Sequence, residues 1–437
     1  MPEAVTARHV ALDLIGAVLR RKRPLDDAIE DSSAMHQLSG RDRAFARLLV
    51  ATVLRRLGQI DALVADCLNM PLAPRAAVVQ DILRLGVAQL LFLRTPPHAA
   101  VATSVDIAQR CGFVSHKGLV NAVLRRLSVE GAGRVEEQDA PRLNTPDWLW
   151  WSWSRAYGEP TARAIATAHL KEAPLDLTLR DDAEAWCAAL DGVLLPTGTL
   201  RRAAGGALAT LPGYAEGAWW VQDAAAALPA RLFGDVAGRR IADLCAAPGG
   251  KTAQLAAAGA RVVAVDRAPA RLARIKANLA RLGLAAEIVG ADILDAEPAA
   301  WNAAPFDGIL LDAPCSSTGT IRRHPDVRWR KQAADIAKLA ELQGALIARA
   351  AEWVKPGGLL VYCVCSLEPE EGVAIVEALL TRDARFHRRP IAAAEIAGLA
   401  ECLTPAGDLR TLPCHLADPE ARLAGLDGFF AARLERI

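Results

Sequence analysis

From about residue 236 onward, short apolar runs alternate with stretches of helical periodicity, and no other feature narrows the fold as much. The runs fall at 241–244, 261–265, 287–289, 306–311 and 359–365. Strands separated by helices form βαβ units, so this region is expected to be a parallel, doubly wound α/β sheet. Ligands of such sheets bind beyond the carboxyl ends of the strands. The residues that end these five runs are therefore where chemistry is expected.

The remainder of the chain reads differently. Residues 1 to about 135 show helical stripes throughout, such as Val10, Leu14, Ile15 and Val18, or Phe45, Leu48, Leu49 and Val53. Turn signals at Ser39-Gly40, Pro71 to Pro74, Pro96-Pro97 and Gly112 divide them, which predicts an all-α bundle. Glycines, acids and prolines between 131 and 146 predict a linker. Trp148, Trp150, Trp151 and Trp153 follow. They read as a helix stapled to a neighbouring domain rather than as a base-stacking platform. Residues 160–235 mix a helix with short strand-like runs, the pattern of a small α+β subdomain.

Charge and cysteine usage limit the classes of function. Lys plus Arg is 51 and Asp plus Glu is 50, so nucleic acid could be held only by local patches. One candidate is the N-terminal bundle, where residues 1–134 carry 18 Lys plus Arg against 12 Asp plus Glu. Arg20 to Arg23 and Arg125-Arg126 stand out there, read equally well as an RNA-facing patch or as cations at helix ends. No apolar run reaches the roughly 18–20 residues of a membrane span, and the first residues do not form a secretory signal. The nine cysteines are scattered, odd in number and without a Cys-x-x-Cys pair. A disulfide framework and a structural zinc site are not expected, and a reducing cytoplasm is.

The strand ends carry the chemistry. The first is followed by Cys245, Ala246, Ala247, Pro248, Gly249, Gly250, Lys251 and Thr252. Gly-Lys-Thr suggests a phosphate loop, but that pattern needs glycine where Cys245 stands. The second run ends in Asp266, where a carboxylate suits a ribose diol. The third ends near Asp292, which could accept from an adenine amino group. Either aspartate alone is more often a strand-end cap; together, after a glycine-rich loop, they suggest a nucleoside cofactor without phosphates. S-adenosylmethionine is of that kind. Asp312 and Cys315 follow the fourth strand, and Cys365 ends the fifth. Two cysteines at the mouth of a cofactor cleft are seldom idle.

Asp243 to Thr252, Leu311-Asp312-Ala313-Pro314-Cys315-Ser316 and Tyr362-Cys363-Val364-Cys365-Ser366 resemble the RNA cytosine-5 methyltransferases of the Sun type. Residues 118–125 resemble the last helix of a NusB-like RNA-binding domain. The combination is similar to the bacterial 16S rRNA members of that family. The resemblance implies three parts: 1–140, a NusB-like helical RNA-binding domain; 141–235, a linker and small α+β subdomain; 236–437, a Rossmann-like methyltransferase domain. It implies that Cys245 to Lys251, Asp266, Asp292 and Asp312 line the S-adenosylmethionine site. It implies that Cys365 is the nucleophile and that Cys315 assists product release. Val364 departs from the family's usual Thr, which leaves a hydrogen bond from that position in doubt.

Cytosine C5 is too weak a nucleophile to take a methyl group unaided, and a thiolate adding at C6 makes it an enamine. Cys365 would supply the thiolate, with Asp312 stabilising the adduct. The target base must be unstacked, which favours single-stranded RNA. Arg322, Arg323, His324, Arg328 and Arg330 are expected to contact phosphate. The expected partner is small-subunit rRNA, free or in an early assembly particle, acted on by a cytoplasmic monomer without metal. A tRNA substrate and a non-catalytic RNA-binding assembly factor are the alternatives.

Overall fold

Burial on both faces marks the central strands of the large sheet in the computed structural model, which describes residues 6–203, 205–295 and 304–437. Its contacts divide the chain into two units. One runs to Leu170 and also takes Arg323–Gln332; the other comprises Lys171–Arg322 and Ala333–Ile437.

The first unit is helical, as the stripes predict; residues 1–5 lie outside the described residues. Thr6 caps Ala7–Leu19 and Ser39 caps Gly40–Arg55, each accepting from a backbone N–H of the first turn. Val10, Ile15 and Val18 are buried in one core with Leu49, Val53 and Leu54. The linker expected at 131–146 is not one. A single helix, Lys117–Glu137, runs through Gly131 and Gly133. Gly131 serves close packing rather than a chain break, because a Cβ there would run into the Leu91 side chain. The helix Asp147–Tyr157 carries the tryptophans, and their partners lie in this same unit. Trp153 meets His169 edge-on, and Trp150 lies between the guanidiniums of Arg142 and Arg163. The staple is thus internal to the helical unit, which extends 30 residues beyond the expected boundary at 140.

In the second unit, β1 (Leu175–Leu179), β2 (Val193–Leu194), β3 (Leu200–Arg202) and β4 (Trp219–Val221) form a small antiparallel sheet in the order β2-β3-β1-β4. Leu177, Leu200 and Trp219 make its core. Asp176 and Arg201 form a fully buried bidentate pair, and Arg201 also donates to the carbonyls of Leu423 and Gly425. These bonds tie the small sheet to the C-terminal segment, so 171–235 belongs with the catalytic unit rather than with 141–170.

The large sheet contains β5 (Arg240–Leu244), β6 (Arg261–Asp266), β7 (Glu287–Gly290), β8 (Phe306–Asp312), β9 (Val354–Val364), β10 (Phe386–Arg388), β11 (Leu409–Thr411) and β12 (Phe429–Arg436). Its order is β10-β12-β9-β8-β5-β6-β7, with β11 paired to β12. The five expected runs are the parallel strands β5 to β9. The sheet is nevertheless mixed, because β12 pairs antiparallel with β9 and carries β10 and β11. The chain enters at β5, winds outward to β7, then returns to β8 on the other side of β5. This is the strand-order reversal at which doubly wound folds open a crevice.

Candidate active site

Register brings the expected residues to one edge. Leu244 pairs with Val265 and Leu311, Asp266 with Gly290, and Asp312 with Cys363. Cys245, Asp266, Asp292, Asp312 and Cys365 therefore stand at or just beyond neighbouring carboxyl ends. Cys245 has φ 60°, a conformation that costs a non-glycine residue about 1–3 kcal/mol, and it turns the chain sharply off β5. Gly249, at φ 99°, starts the helix Gly250–Ala257.

A cleft of about 140 Å³ opens here. Cys245, Asp266, Asp292 and Asp312 line it, with an apolar wall that includes Ile293, Leu342 and Leu346. Asp266 is almost wholly buried. Its carboxylate accepts from the N–H groups of Ala247 and Ala268 at 3.2 Å each, and Arg271 lies 3.4 Å away. Asp292 accepts from the Leu294 N–H at 3.0 Å. Ala246 to Lys251 form the loop behind the cleft without lining it. Lys251 donates to the cleft-lining Asp312 at Oδ2, 2.8 Å away, with its ammonium 4.9 Å from the Phe429 ring centre.

Beside the cleft, Cys315 Sγ and Cys365 Sγ are 3.4 Å apart. The loops that carry them are laced together: Ala313 N–H donates to the Cys363 carbonyl and Gly319 N–H to the Cys365 carbonyl, both at 3.0 Å. Gly319 must be glycine, since a Cβ would fall within the backbone of Gly428. The two thiols share a proton unequally. The Cys315 S–H donating to it, with the Ser317 hydroxyl 3.6 Å away and Lys251 nearby, holds the Cys365 thiol below its ordinary value. The Cys365 sulfur, burial and Glu371 hold Cys315 well above it. Of the two, Cys365 is therefore the more readily ionised and Cys315 the one that keeps its proton longer. A third thiol, Cys363, lies 3.6 Å from Asp312 Oδ1, and burial keeps it neutral.

Several residues here carried no earlier assignment. Asp243 is buried beneath the loop and accepts from the Thr252 hydroxyl at 2.5 Å. Burial raises its carboxyl to about 7, against the opposing pull of Thr252 and Lys251. An acid that is neutral when folded and ionised when unfolded loses stability as pH rises from about 4 to about 7. Three pH units correspond to about 4 kcal/mol. Denaturant unfolding should show Asp243→Asn gaining about 2.7 kcal/mol on the wild type between pH 5 and pH 8, the two pH units of that span that lie below about 7. A constant difference across that range would mean that Asp243 is ionised in the fold. Glu371 and Gln343 were missed because nothing in their spacing marks them, although Glu371 lies in the acidic tail that follows β9.

Two expectations are corrected. Arg322 and Arg328 are buried, not phosphate-facing. Arg328 donates to the carbonyls of Asn144 and His169, and burial beside Arg55 and Arg56 lowers it to about 9. Arg322 donates to the Glu172 and Ala424 carbonyls, Arg330 pairs with Asp326 at 2.7 Å, and His324 lies 3.2 Å from Asp26. The cluster at Arg20 to Arg23 is similarly committed: Arg20 pairs with Asp81, Arg23 with Asp31, and Lys22 donates to the Trp329 carbonyl. Arg126 pairs with Glu130. Among the described residues, Arg21 and Arg125 of the expected patch, like Arg41, Arg43 and Arg47 on Gly40–Arg55, are exposed and make no ion pair; Arg21 donates to the Asp13 carbonyl and Arg125 to Asn121. The doubt at Val364 also resolves. Leu360, Tyr362 and Val364 point into one core, and Leu359, Val361 and Cys363 into the other, with Cys365 on that side. Residue 364 faces away from the side on which Cys365 packs.

Fold and cleft together define a Rossmann-like methyltransferase joined to a helical RNA-binding domain. Residues 233–435 match the family described as 16S rRNA methyltransferase RsmB/F, and residues 5–128 match the NusB family. Ribosomal RNA small subunit methyltransferase B of Shewanella oneidensis is 36% identical over 388 residues, 86% of this chain and 90% of that protein. The protein of the same name from Pseudomonas syringae pv. tomato is 35% identical over 453 residues, 98% of this chain and 97% of its own. The chain belongs to the RsmB/F family of 16S rRNA methyltransferases. Among solved structures, the crystal structure of PH0851 shares the fold, with a TM-score of 0.76 over 98% of both chains at 23% identity. A methyltransferase homolog protein from Pyrococcus horikoshii aligns at 0.53 and 25% identity over 65% of this chain and 93% of its own. The methyl donor of such enzymes is S-adenosylmethionine, and the cleft fits it: a fixed carboxylate for the ribose diol sits beside an apolar slot for a flat base.

Proposed function

We propose that the chain methylates carbon 5 of a cytosine in 16S rRNA through a transient bond between Cys365 and the base. The observation that carries this is the pair of sulfurs 3.4 Å apart beside the cofactor cleft, with Cys365 held below the ordinary thiol value and Cys315 above it. S-adenosylmethionine supplies an electrophilic sulfonium methyl group when bound. Asp266 holds its ribose and Asp292 its adenine. The Cys365 thiolate adds to cytosine C6, and the ring electrons move to C5, which becomes nucleophilic. Asp312, fixed by Lys251, stabilises the adduct through the base's N3 edge. Once C5 carries the methyl group, its proton leaves to solvent and the electron pair left behind expels the Cys365 thiolate, whose departure the Cys315 S–H assists by donating to it.

The enzyme works in the cytoplasm as a monomer, on rRNA that is free or in an early assembly particle, where the target base is unstacked. Bisulfite sequencing of rRNA from cells lacking the gene is the test. One cytosine protected in the parent should become convertible. An unchanged rRNA pattern with a newly convertible tRNA position would move the substrate to tRNA.

Two narrower results are expected. Asp266→Ala should weaken S-adenosylmethionine binding by about 1.5–3 kcal/mol, the scale of hydrogen bonds to a charged group. Calorimetry giving native affinity would reduce Asp266 to a cap for the Ala247 loop. RNA contact by the helical domain falls to its unpaired cations. Arg43→Glu with Arg47→Glu should weaken rRNA binding and flatten its salt dependence by about one unit of slope per lost phosphate contact. An unchanged slope would leave that face solvated only.

A further inference from the structure

A buried side chain ties the two cysteine loops together. Glu371 closes the 3₁₀ turn Pro369–Glu371 and is fully buried. Its Oε1 accepts from the Ser316 N–H at 2.8 Å and from Gln343 Nε2 at 3.0 Å. Its Oε2 accepts from the hydroxyls of Ser316 and Ser366, both at 2.5 Å. Ser316 directly follows Cys315, and Ser366 directly follows Cys365. Gln343 Nε2 also donates to the Pro314 carbonyl at 2.9 Å, on the other side of Cys315. The Tyr362 hydroxyl donates to the Glu371 carbonyl at 2.6 Å and pins its backbone.

A carboxylate offers about four acceptor directions, and here all of them are used on the two loops and their brace. We propose that Glu371 is the positioning residue of this enzyme: by accepting from Ser316 and Ser366 it sets the separation and facing of the Cys315 and Cys365 sulfurs. It touches neither the cofactor cleft nor the sulfurs through any of these bonds, so it acts through the two serines. The inference rests on the reading of Cys315 and Cys365 as the working pair. The spacing it describes can be measured without that reading.

The test uses diamide on the full-length protein. Two thiols lose two protons and two electrons to the reagent, which becomes a hydrazine, and a Cys315–Cys365 disulfide forms. Peptide mass spectrometry follows that bond. Sulfurs held 3.4 Å apart need only a short approach to the bonded distance of about 2.05 Å, so the wild type should crosslink quickly. Glu371→Ala should crosslink many-fold more slowly and lose kcat on the order of a hundredfold, with KM for S-adenosylmethionine unchanged. Glu371→Gln should rescue both, because its carbonyl oxygen still accepts from Ser316 N–H and Gln343 while its amide donates to the two hydroxyls. Ser366→Ala removes one of the four bonds to the Glu371 carboxylate, together with the Glu368 N–H bond to the same hydroxyl, and should give an intermediate crosslinking rate, which serves if Glu371→Ala does not fold. Native crosslinking in Glu371→Ala or Ser366→Ala, or a Gln variant as impaired as Ala, would overturn the proposal. Crosslinking that follows this order in a protein that methylates no RNA would count against the proposed function and leave the positioning role standing.

Discussion

Cys365→Ala is expected to abolish methyl transfer, a loss of at least about 10³-fold, because no other group can activate the cytosine ring once the nucleophile is gone. The covalent protein–RNA species should disappear with it. Cofactor affinity should stay native, since Cys365 does not line the cleft that Asp266 and Asp292 form. Transfer of labelled methyl to rRNA, a denaturing gel and calorimetry read these three quantities separately. Persistence of the adduct in Cys365→Ala would move the nucleophile elsewhere, and Cys315, the cysteine of a Pro-Cys pair, is the rival.

Cys315→Ala is expected to behave in the opposite sense. Addition by Cys365 and methylation can proceed, but expulsion of the Cys365 thiolate loses the S–H that assists it, at a cost of about 10²–10⁴-fold. The intermediate should accumulate as a protein–RNA band stable to denaturing electrophoresis. A second consequence follows from the sulfur pair. The Cys315 S–H is the foremost cause of the depressed Cys365 thiol. Without it that thiol rises, and less thiolate is present at neutral pH. Adduct formation in Cys315→Ala should therefore speed up as pH is raised, more steeply than in the wild type. An adduct lost in Cys315→Ala and kept in Cys365→Ala would reverse the two roles.

The parallel half of the catalytic sheet was legible because buried strands read as uninterrupted apolar runs, and Asp266, Asp292, Asp312, Cys315 and Cys365 follow from where those runs stop. The antiparallel strands were not. The β12 sequence, Phe-Phe-Ala-Ala-Arg-Leu-Glu-Arg, mixes apolar and charged residues without alternation, and its strand character comes from pairing with β9. The excursion of Arg323–Gln332 into the helical unit was also hidden. Basic residues look solvated in sequence, whereas Arg328 is covered and bonded only to carbonyls. Glycine misled at Gly131, where it permits packing inside a helix instead of ending one. Glu371 stayed invisible for a related reason: its worth lies in Ser316, Ser366 and Gln343, which come from three separate segments and meet only in the fold.

The most direct test of the central claim is mass spectrometry of nucleosides from 16S rRNA incubated with the purified protein and methyl-labelled S-adenosylmethionine. The label is predicted to appear in 5-methylcytidine, at one position, with wild type and not with Cys365→Ala. Label in any other nucleoside, or 5-methylcytidine formed equally well by Cys365→Ala, would contradict it.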